Sequence, residues 1–123
     1  MKIAVYFEES AVSLKAFNMA EAFARQVGAE LFVLSTITRE DPINHSKIQE
    51  LEAELETKVE KNRKEPDINC ECRLLVDIED AGEQIVKFVK RKKIDWLYIG
   101  TPRQSKLAKL IVGSTSLHVI LNA

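Results

Sequence analysis

The sequence Asp95-Trp96-Leu97-Tyr98-Ile99-Gly100-Thr101-Pro102-Arg103 decides the fold class of this chain. An apolar strand runs into a glycine here, and Gly113-Ser114-Thr115 follows after a gap of nine residues. A strand that ends in glycine lets backbone amides approach an anion closely. We predict that Gly113-Ser114-Thr115 begins the last helix, where unpaired N–H groups, two hydroxyls and the helix dipole favour an anion. Together the two segments predict a phosphate site, which on an α/β domain usually indicates a nucleotide.

Strands and helices alternate along the rest of the sequence. Apolar or alternating runs predict four strands, at Lys2 to Phe7, Leu31 to Ile37, Ile68 to Leu74 and Ile94 to Ile99. Helical spacing and end signals predict four helices, at Ser10 to Gly28, Asn44 to Lys64, Asp80 to Lys92 and Gly113 to about Leu121. This order predicts an α/β fold, a doubly wound open parallel sheet with helices on both faces, in one domain over residues 1–123.

Two of these segments carry a further prediction. Strict alternation in the third strand indicates one solvated face, which is typical of a sheet edge. The narrow apolar stripe of the second helix, Ile48, Leu51, Leu55 and Val59, suits either a coiled coil or one face packed on a sheet. We favour packing on the sheet.

The ends of the first and fourth strands are expected to form the functional site. These two strands are the most apolar, so they are expected to be central neighbours. Ligands of open parallel sheets bind beyond the carboxyl ends of the strands, where the winding direction reverses. Glu8 and Ser10 follow the first strand and Gly100 follows the fourth, so we expect them to meet at one crevice that faces Gly113.

Composition narrows the functional classes. With 18 basic and 19 acidic residues the net charge is −1, so no overall field attracts nucleic acid or a membrane surface. The apolar runs are too short to span a membrane, and the first residues enter a strand without a signal-peptide pattern, which indicates a cytoplasmic protein. Cys70 and Cys72 are predicted to be reduced, buried thiols, and no metal site is expected because His45 and His118 lack a matching spacing.

At this point the chain resembles the universal stress protein family. Four segments resemble its first strand, turn, first helix and second-strand entry: Lys2-Ile3-Ala4-Val5, Glu8-Glu9-Ser10, Ser13-Leu14-Lys15-Ala16 and Gly28-Ala29-Glu30-Leu31. The tail Ile99-Gly100-Thr101-Pro102-Arg103, followed after nine residues by Gly113-Ser114-Thr115, is similar to the family's ATP signature, in which two residues separate the first two glycines and nine more precede a glycine-serine/threonine pair. The resemblance implies the strand order 3-2-1-4-5, a homodimer, and two functional branches, of which one binds ATP.

The resemblance also implies a set of nucleotide-binding residues. Adenine would lie near Thr36, and Glu8 would face the ribose or a magnesium ion. Ser10, in the turn after the first strand, is also counted among the nucleotide-binding residues. The phosphates would contact Gly100, Arg103, Gly113, Ser114 and Thr115.

The chain departs from the family pattern at three positions of this site. Glu8 stands where the family has aspartate, and Glu9 and Arg103 stand where it has glycine. Glu9 adds negative charge near a polyphosphate, whereas the arginine is both an obstacle and a phosphate donor. We therefore expect ATP, if it is bound, to bind more weakly than in a chain with the full signature. The alternative is that Gly100 is a plain strand-end turn and Gly113-Ser114 a plain helix cap.

The tail differs from the family in a second respect. The sequence ends at Ile120-Leu121-Asn122-Ala123, where a fifth strand would begin, so that strand is expected to be missing. The outer edge of the fourth strand would then be open, which predicts a dimer or a strand exchange that covers it.

The sequence is compatible with three functions. The first is a small cytoplasmic stress-response or regulatory protein that acts by binding, with an unknown protein partner, no catalytic residue and at most slow ATP hydrolysis. The second is a nucleotide-free dimeric interaction module of the same fold. The third, a phosphoacceptor receiver domain, requires a lysine after a fifth strand, which this sequence lacks.

Overall fold

The computed structural model describes residues 1–8, 10–39, 44–101, 105–114 and 118–121. In these ranges, strands and helices alternate as β1 Lys2–Tyr6, α1 Ala11–Val27, β2 Glu30–Thr38, α2 His45–Asn62, β3 Cys70–Asp77, α3 Ala81–Lys92, β4 Trp96–Ile99, α4 Lys106–Ser114 and β5 His118–Leu121. All pairings are parallel, and the strand order is β3-β2-β1-β4-β5. The predicted α/β class, the central β1–β4 pair and the edge position of β3 are confirmed.

The core lies on both faces of the sheet. The central residues of β1 are fully buried and alternate between the two faces, because Ile3 and Val5 belong to one cluster and Ala4 to the other. The first cluster includes Leu55 and Val59 of α2, so the apolar stripe of that helix packs on the sheet, as predicted. The second cluster contains residues of α3 and α4. None of the helices within the described ranges has the length and hydropathy needed to cross a membrane.

The helix ends follow the sequence signals. The Ser10 side chain accepts a hydrogen bond from the Ser13 amide at the start of α1, and Asn44 and Asp80 cap α2 and α3 in the same way. Gly28 ends α1 with φ 68°, a left-handed conformation that favours glycine.

The carboxyl-terminal part of the chain corrects two predictions. No helix starts at Gly113, because α4 spans Lys106–Ser114 and begins behind Ser105, whose hydroxyl accepts from the Ala108 amide. The fifth strand is present, and β5 pairs in parallel with β4. The helix forms there because the apolar residues after Ser105 recur at helical spacing, which buries Ala108 and Ile111 completely. The strand forms because a short run with the β-branched residues Val119 and Ile120 follows. Because β5 covers β4, the open edge that was predicted at β4 does not exist.

A buried carboxylate joins α1 to the loop after α2. Glu21 is 0 % exposed, and its carboxylate accepts hydrogen bonds from the amides of Lys64 (3.1 Å) and Glu65 (3.2 Å). Burial raises the pKa of Glu21, and the two amide hydrogen bonds oppose this only in part. A carboxyl group with a raised pKa in the folded state favours folding when it is protonated, so this contribution is lost as the pH rises through that pKa.

We therefore predict that Glu21→Gln flattens the pH dependence of stability. The free energy of unfolding of the variant minus that of the wild type should be larger at pH 7 than at pH 4, because the wild type loses stability as Glu21 ionises and the variant does not. Urea denaturation at both pH values measures this difference, and Glu30→Gln at an exposed position is the control. An equal difference between Glu21→Gln and the wild type at the two pH values would contradict the prediction.

Candidate functional site

The carboxyl ends of β1 and β4 meet the first turn of α1. Tyr6 at the end of β1 is in register with Ile99 of β4. A Cβ on the next residue, Gly100, would lie 2.7 Å from the backbone N and Cα of Ser13 and from the carbonyl carbon of Val12. Helix packing therefore explains the glycine at this position.

Ser13 holds the turn between β1 and α1. Its side chain is 1 % exposed, and its hydroxyl accepts a hydrogen bond from the Glu8 amide (2.7 Å) and donates one to the Tyr6 carbonyl (3.2 Å). The Ser10 amide donates to the Glu8 carbonyl (3.0 Å). These bonds fix the backbone of Glu8, whose side chain is exposed at the carboxyl edge of the sheet.

A second polar group lies at the ends of β1 and β2. The hydroxyls of Tyr6 and Thr36 are 3.4 Å apart. Burial raises the pKa of Tyr6; the hydrogen bond with Thr36 opposes this shift, and the nearby negative charge of Glu8 adds to it. Tyr6 therefore stays a neutral hydroxyl at physiological pH, available as a hydrogen-bond donor or acceptor.

Two clefts adjoin Glu8 and run along α2. We call the first the strand cleft; it has a volume of ≈ 150 Å³ and lies between the carboxyl ends of the strands and α2. The second, the helix cleft, has a volume of ≈ 360 Å³ and lies between the start of α1 and α2. Phe7, Glu8 and Lys58 line both clefts. The strand cleft is additionally lined by Ser35, Ile37, Leu51, Glu54, Leu55 and Leu74, and the helix cleft by Ser10, Ala11, Leu14 and Asn62.

The two clefts differ in what they can accommodate. The walls of the strand cleft are mainly apolar side chains, which suits a planar ring. The helix cleft has a lysine, an amide and a hydroxyl in its lining, which suits a sugar or an anion. Its volume is within the range of roughly 300–1,000 Å³ that is typical of small-molecule sites.

The structure brings together part of the predicted site. Glu8 and Ser10 line the clefts, and Gly100 lies behind the same turn. The side chain of Thr36 contacts Tyr6, while its neighbours Ser35 and Ile37 face the strand cleft.

The predicted phosphate residues are not assembled as expected. Gly113 and Ser114 lie in the last turn of α4. The strand that follows, β5, begins at the opposite edge of the sheet, because His118 pairs with Trp96 at the amino end of β4. Gly113 and Ser114 therefore do not provide a helix N-terminus for an anion. The predicted contacts of Arg103 and Thr115 lie outside the described residues.

Sequence reasoning missed several residues of the site. No role is assigned to Ser13 from the sequence, although a serine three residues after a capping serine is well placed to bond the preceding turn. Phe7, Ser35 and Lys58 line clefts between elements that are distant in sequence, so no local pattern indicates them. The start of α4 behind Ser105 could have been predicted from the sequence, because a capping serine there precedes apolar residues at helical spacing, namely Leu107, Ala108, Leu110 and Ile111.

The cysteines and histidines lie away from the clefts. Cys70 and Cys72 are free thiols on one side of β3, and they are half-buried where burial was predicted. A hydrogen bond with the Cys72 thiol lowers the pKa of Cys70 and raises that of Cys72. His118 stacks on Trp96 with ring centroids 4.4 Å apart, and Trp96 also packs against Phe23, so this tryptophan has a packing role in the sheet.

Comparisons with known proteins agree with this architecture. The sequence matches the family model described as the universal stress protein family over residues 1–123. A comparison with curated protein sequences finds no match. The fold is similar to that of the universal stress protein from Archaeoglobus fulgidus in complex with dAMP, with a TM-score of 0.82, 22% identity and coverage of 100% of this chain and 98% of that one.

Two further solved structures share the fold. One is a universal stress protein in complex with cAMP (TM-score 0.72, 14% identity, 98% of this chain and 95% of that one). The other is a universal stress protein family protein from Arabidopsis thaliana with AMP bound (TM-score 0.67, 16% identity, 98% of this chain and 90% of that one). At these identities the similarity establishes the fold.

Proposed function

Because this chain belongs to the universal stress protein family, we propose that it is a regulatory protein that binds an adenine nucleotide in the two clefts beside Glu8. The observation that carries the proposal is the position of Glu8, where the strand cleft and the helix cleft meet. Relatives of the same fold hold dAMP, cAMP and AMP, which supports an adenine nucleotide over other ligands.

Each cleft has a distinct part in the proposed complex. The adenine ring enters the strand cleft between Phe7 and Ile37, and the Glu8 carboxylate accepts hydrogen bonds from the ribose hydroxyls. The phosphate lies in the helix cleft, where Lys58 and Asn62 form the α2 wall. This arrangement favours a monophosphate, although ATP with magnesium remains a ligand to test.

The protein acts by binding in this proposal. Glu8 is assigned to the ribose hydroxyls, and no group is assigned to activate water. A cytoplasmic location, a role in stress response and a homodimer complete the proposal, and family membership supports all three.

We predict that Glu8→Gln lowers the affinity for AMP about tenfold, because a neutral amide replaces the charged acceptor of the ribose hydroxyls. Isothermal titration calorimetry with AMP, and with ATP plus magnesium, measures the affinity. Glu30→Gln is the matched control, because this carboxylate is exposed at the amino edge of the sheet. Equal affinity of the wild type and Glu8→Gln would contradict the placement of the ribose.

A second function follows if neither nucleotide binds the wild type. The chain is then a nucleotide-free interaction module of the same fold. The structural role of Gly100 and the position of Gly113 in α4 favour this alternative, because both glycines of the nucleotide signature then have packing or helical roles.

A further inference from the structure

Cys70 and Cys72 form a pair of thiols that the proposed function does not use. They are the two cysteines of the sequence and lie two residues apart on β3, so both side chains stand on the same face of the sheet. Both thiols are free and half-buried, and they hydrogen-bond each other. The pair therefore presents two sulfur atoms side by side at a place that a small ion can reach.

The pair lies on the face of the sheet that α1 and α2 cover. Both cysteines pack against the core cluster that contains Leu55 and Val59 of α2. Apolar side chains therefore shield one side of the pair from water. Neither cysteine belongs to the lining of the strand cleft or the helix cleft, so a ligand at the thiols would be separate from a nucleotide beside Glu8.

The backbone of β3 holds the two thiols in parallel rather than converging directions. Two residues of a strand span about 6.6 Å, near the upper limit of about 6.8 Å for the Cα atoms of a disulfide. The strand is held straight by its pairing with β2, in which Leu31 and Val33 are in register with Cys70 and Cys72. A bridging ion needs only about 4.6 Å between the sulfurs, twice a metal–sulfur bond of about 2.3 Å. The geometry therefore suits a bridging ion better than a sulfur–sulfur bond.

The number of available ligands decides which ion fits. In the part of the chain that the structure describes, no group of three or more histidine, cysteine, aspartate or glutamate side chains is arranged to hold a metal. Zinc and calcium need four or more ligands, so the pair alone does not suit them. Monovalent copper prefers thiolates and is stable with two of them in a linear arrangement.

We propose that Cys70 and Cys72 bind one monovalent copper ion between their two sulfur atoms. Each thiol releases its proton to water as the ion binds, so one Cu⁺ and two thiolates form a complex with a single net negative charge. No electron is transferred in this step. The site goes beyond the proposed nucleotide function and does not depend on it.

Arg63 supplies a positive charge that compensates such a complex. It directly follows α2, and its charge acts electrostatically on both thiols. Its Nη2 donates to the carbonyls of Glu65, Pro66 and Ile68 at 2.9 to 3.3 Å, which holds the guanidinium in place. Its Nε is buried and has no hydrogen-bond partner among the described residues, so one donor remains for a thiolate.

Carboxylates near the pair favour a cation over an uncharged ligand. Glu21 and Glu60 act electrostatically on Cys70, and Glu56 acts on Cys72. Their negative charge opposes the formation of free thiolates and attracts a cation to the same place. The surrounding charges therefore suit the thiolates together with their ion.

An anaerobic titration with Cu⁺, in competition with a colorimetric chelator, measures the affinity of the full chain. Cys70→Ser and Cys72→Ser each remove one ligand, and each is expected to lower the affinity more than about 100-fold. The matched control Glu71→Cys/Cys72→Ser keeps two cysteines but places them on opposite faces of β3, so an equal loss is expected. Circular dichroism checks that each variant is folded.

X-ray absorption at the copper edge and native mass spectrometry test the geometry of the site. One copper per chain with two sulfur ligands is expected. Wild-type affinity no higher than that of Cys70→Ser/Cys72→Ser overturns the proposal, and so does an unchanged affinity of Glu71→Cys/Cys72→Ser or a copper with three or more ligands. Cys70→Ser/Cys72→Ser is expected to bind AMP like the wild type, so failure of one proposal leaves the other standing.

Discussion

Replacing Gly100 by alanine is expected to destabilise the fold by about 2–3 kcal/mol, more than any other glycine-to-alanine change in the part of the chain that the structure describes. The added Cβ would lie 2.7 Å from three backbone atoms of Val12 and Ser13. These atoms belong to the first turn of a helix that is packed on the sheet, so they cannot move without displacing α1. Urea denaturation of the wild type and the variant measures the loss.

Gly82→Ala is the matched control for this prediction. Its Cβ would also meet an atom at 2.7 Å, but that atom is the Leu110 Cδ2, the end of a flexible side chain. Alanine also favours the helical conformation over glycine by about 1 kcal/mol. We therefore expect Gly82→Ala to change stability by less than about 1 kcal/mol. Similar losses for the two variants would show that backbone contact with α1 is not the cause at Gly100.

Ser13→Ala is expected to cost about 2 kcal/mol and to weaken AMP binding as well. The substitution removes the hydroxyl that accepts from the Glu8 amide and donates to the Tyr6 carbonyl. Both backbone groups would lose a partner inside the protein, and the backbone that positions Glu8 would be less ordered. Denaturation gives the stability, and calorimetry with AMP gives the affinity.

The control for Ser13 is Ser10→Ala, which removes an exposed helix cap. Loss of a cap costs about 1 kcal/mol, and the two hydrogen bonds of the Ser13 hydroxyl remain. If Ser10→Ala proves as destabilising as Ser13→Ala, the buried hydroxyl does not have the structural role that we assign to it.

The sheet could be predicted because its signals are local and strong. Apolar runs identified β1, β2 and β4, and alternation placed β3 at an edge, since each pattern follows directly from which faces are covered. The strand order came from the family resemblance, and it is confirmed. Helix ends at Ser10 and Gly28 were also correct, because capping depends on residues only three or four positions apart.

The helix start predicted at Gly113 is wrong because a family motif outweighed the local pattern. Gly113-Ser114-Thr115 was interpreted as a helix start, whereas the apolar spacing after Ser105 already formed a helix that ends at Ser114. The short strand His118–Leu121 was then assigned to the wrong element, and the sheet was expected to lack its fifth strand. Local hydrophobic periodicity was the better guide to this segment.

The clefts could not be derived from any single segment. Glu8 was selected because it follows β1, but its neighbours Lys58 and Ser35 come from α2 and β2. Their approach depends on how α2 packs across the carboxyl ends of the strands, which is set by Leu55 and Val59 in the core. Thr36 and Ser35 face opposite sides of the sheet, so a difference of one residue decided which side chain meets the cleft.

The central claim is that an adenine nucleotide binds beside Glu8, between the sheet and α2. Amide chemical shifts of the isotopically labelled chain during a titration with AMP test it most directly. We predict saturable shifts confined to Phe7, Glu8, Ser35, Ile37 and the α2 segment around Lys58. Shifts that are absent at millimolar AMP, or that are largest in α4 and β5, would contradict the claim.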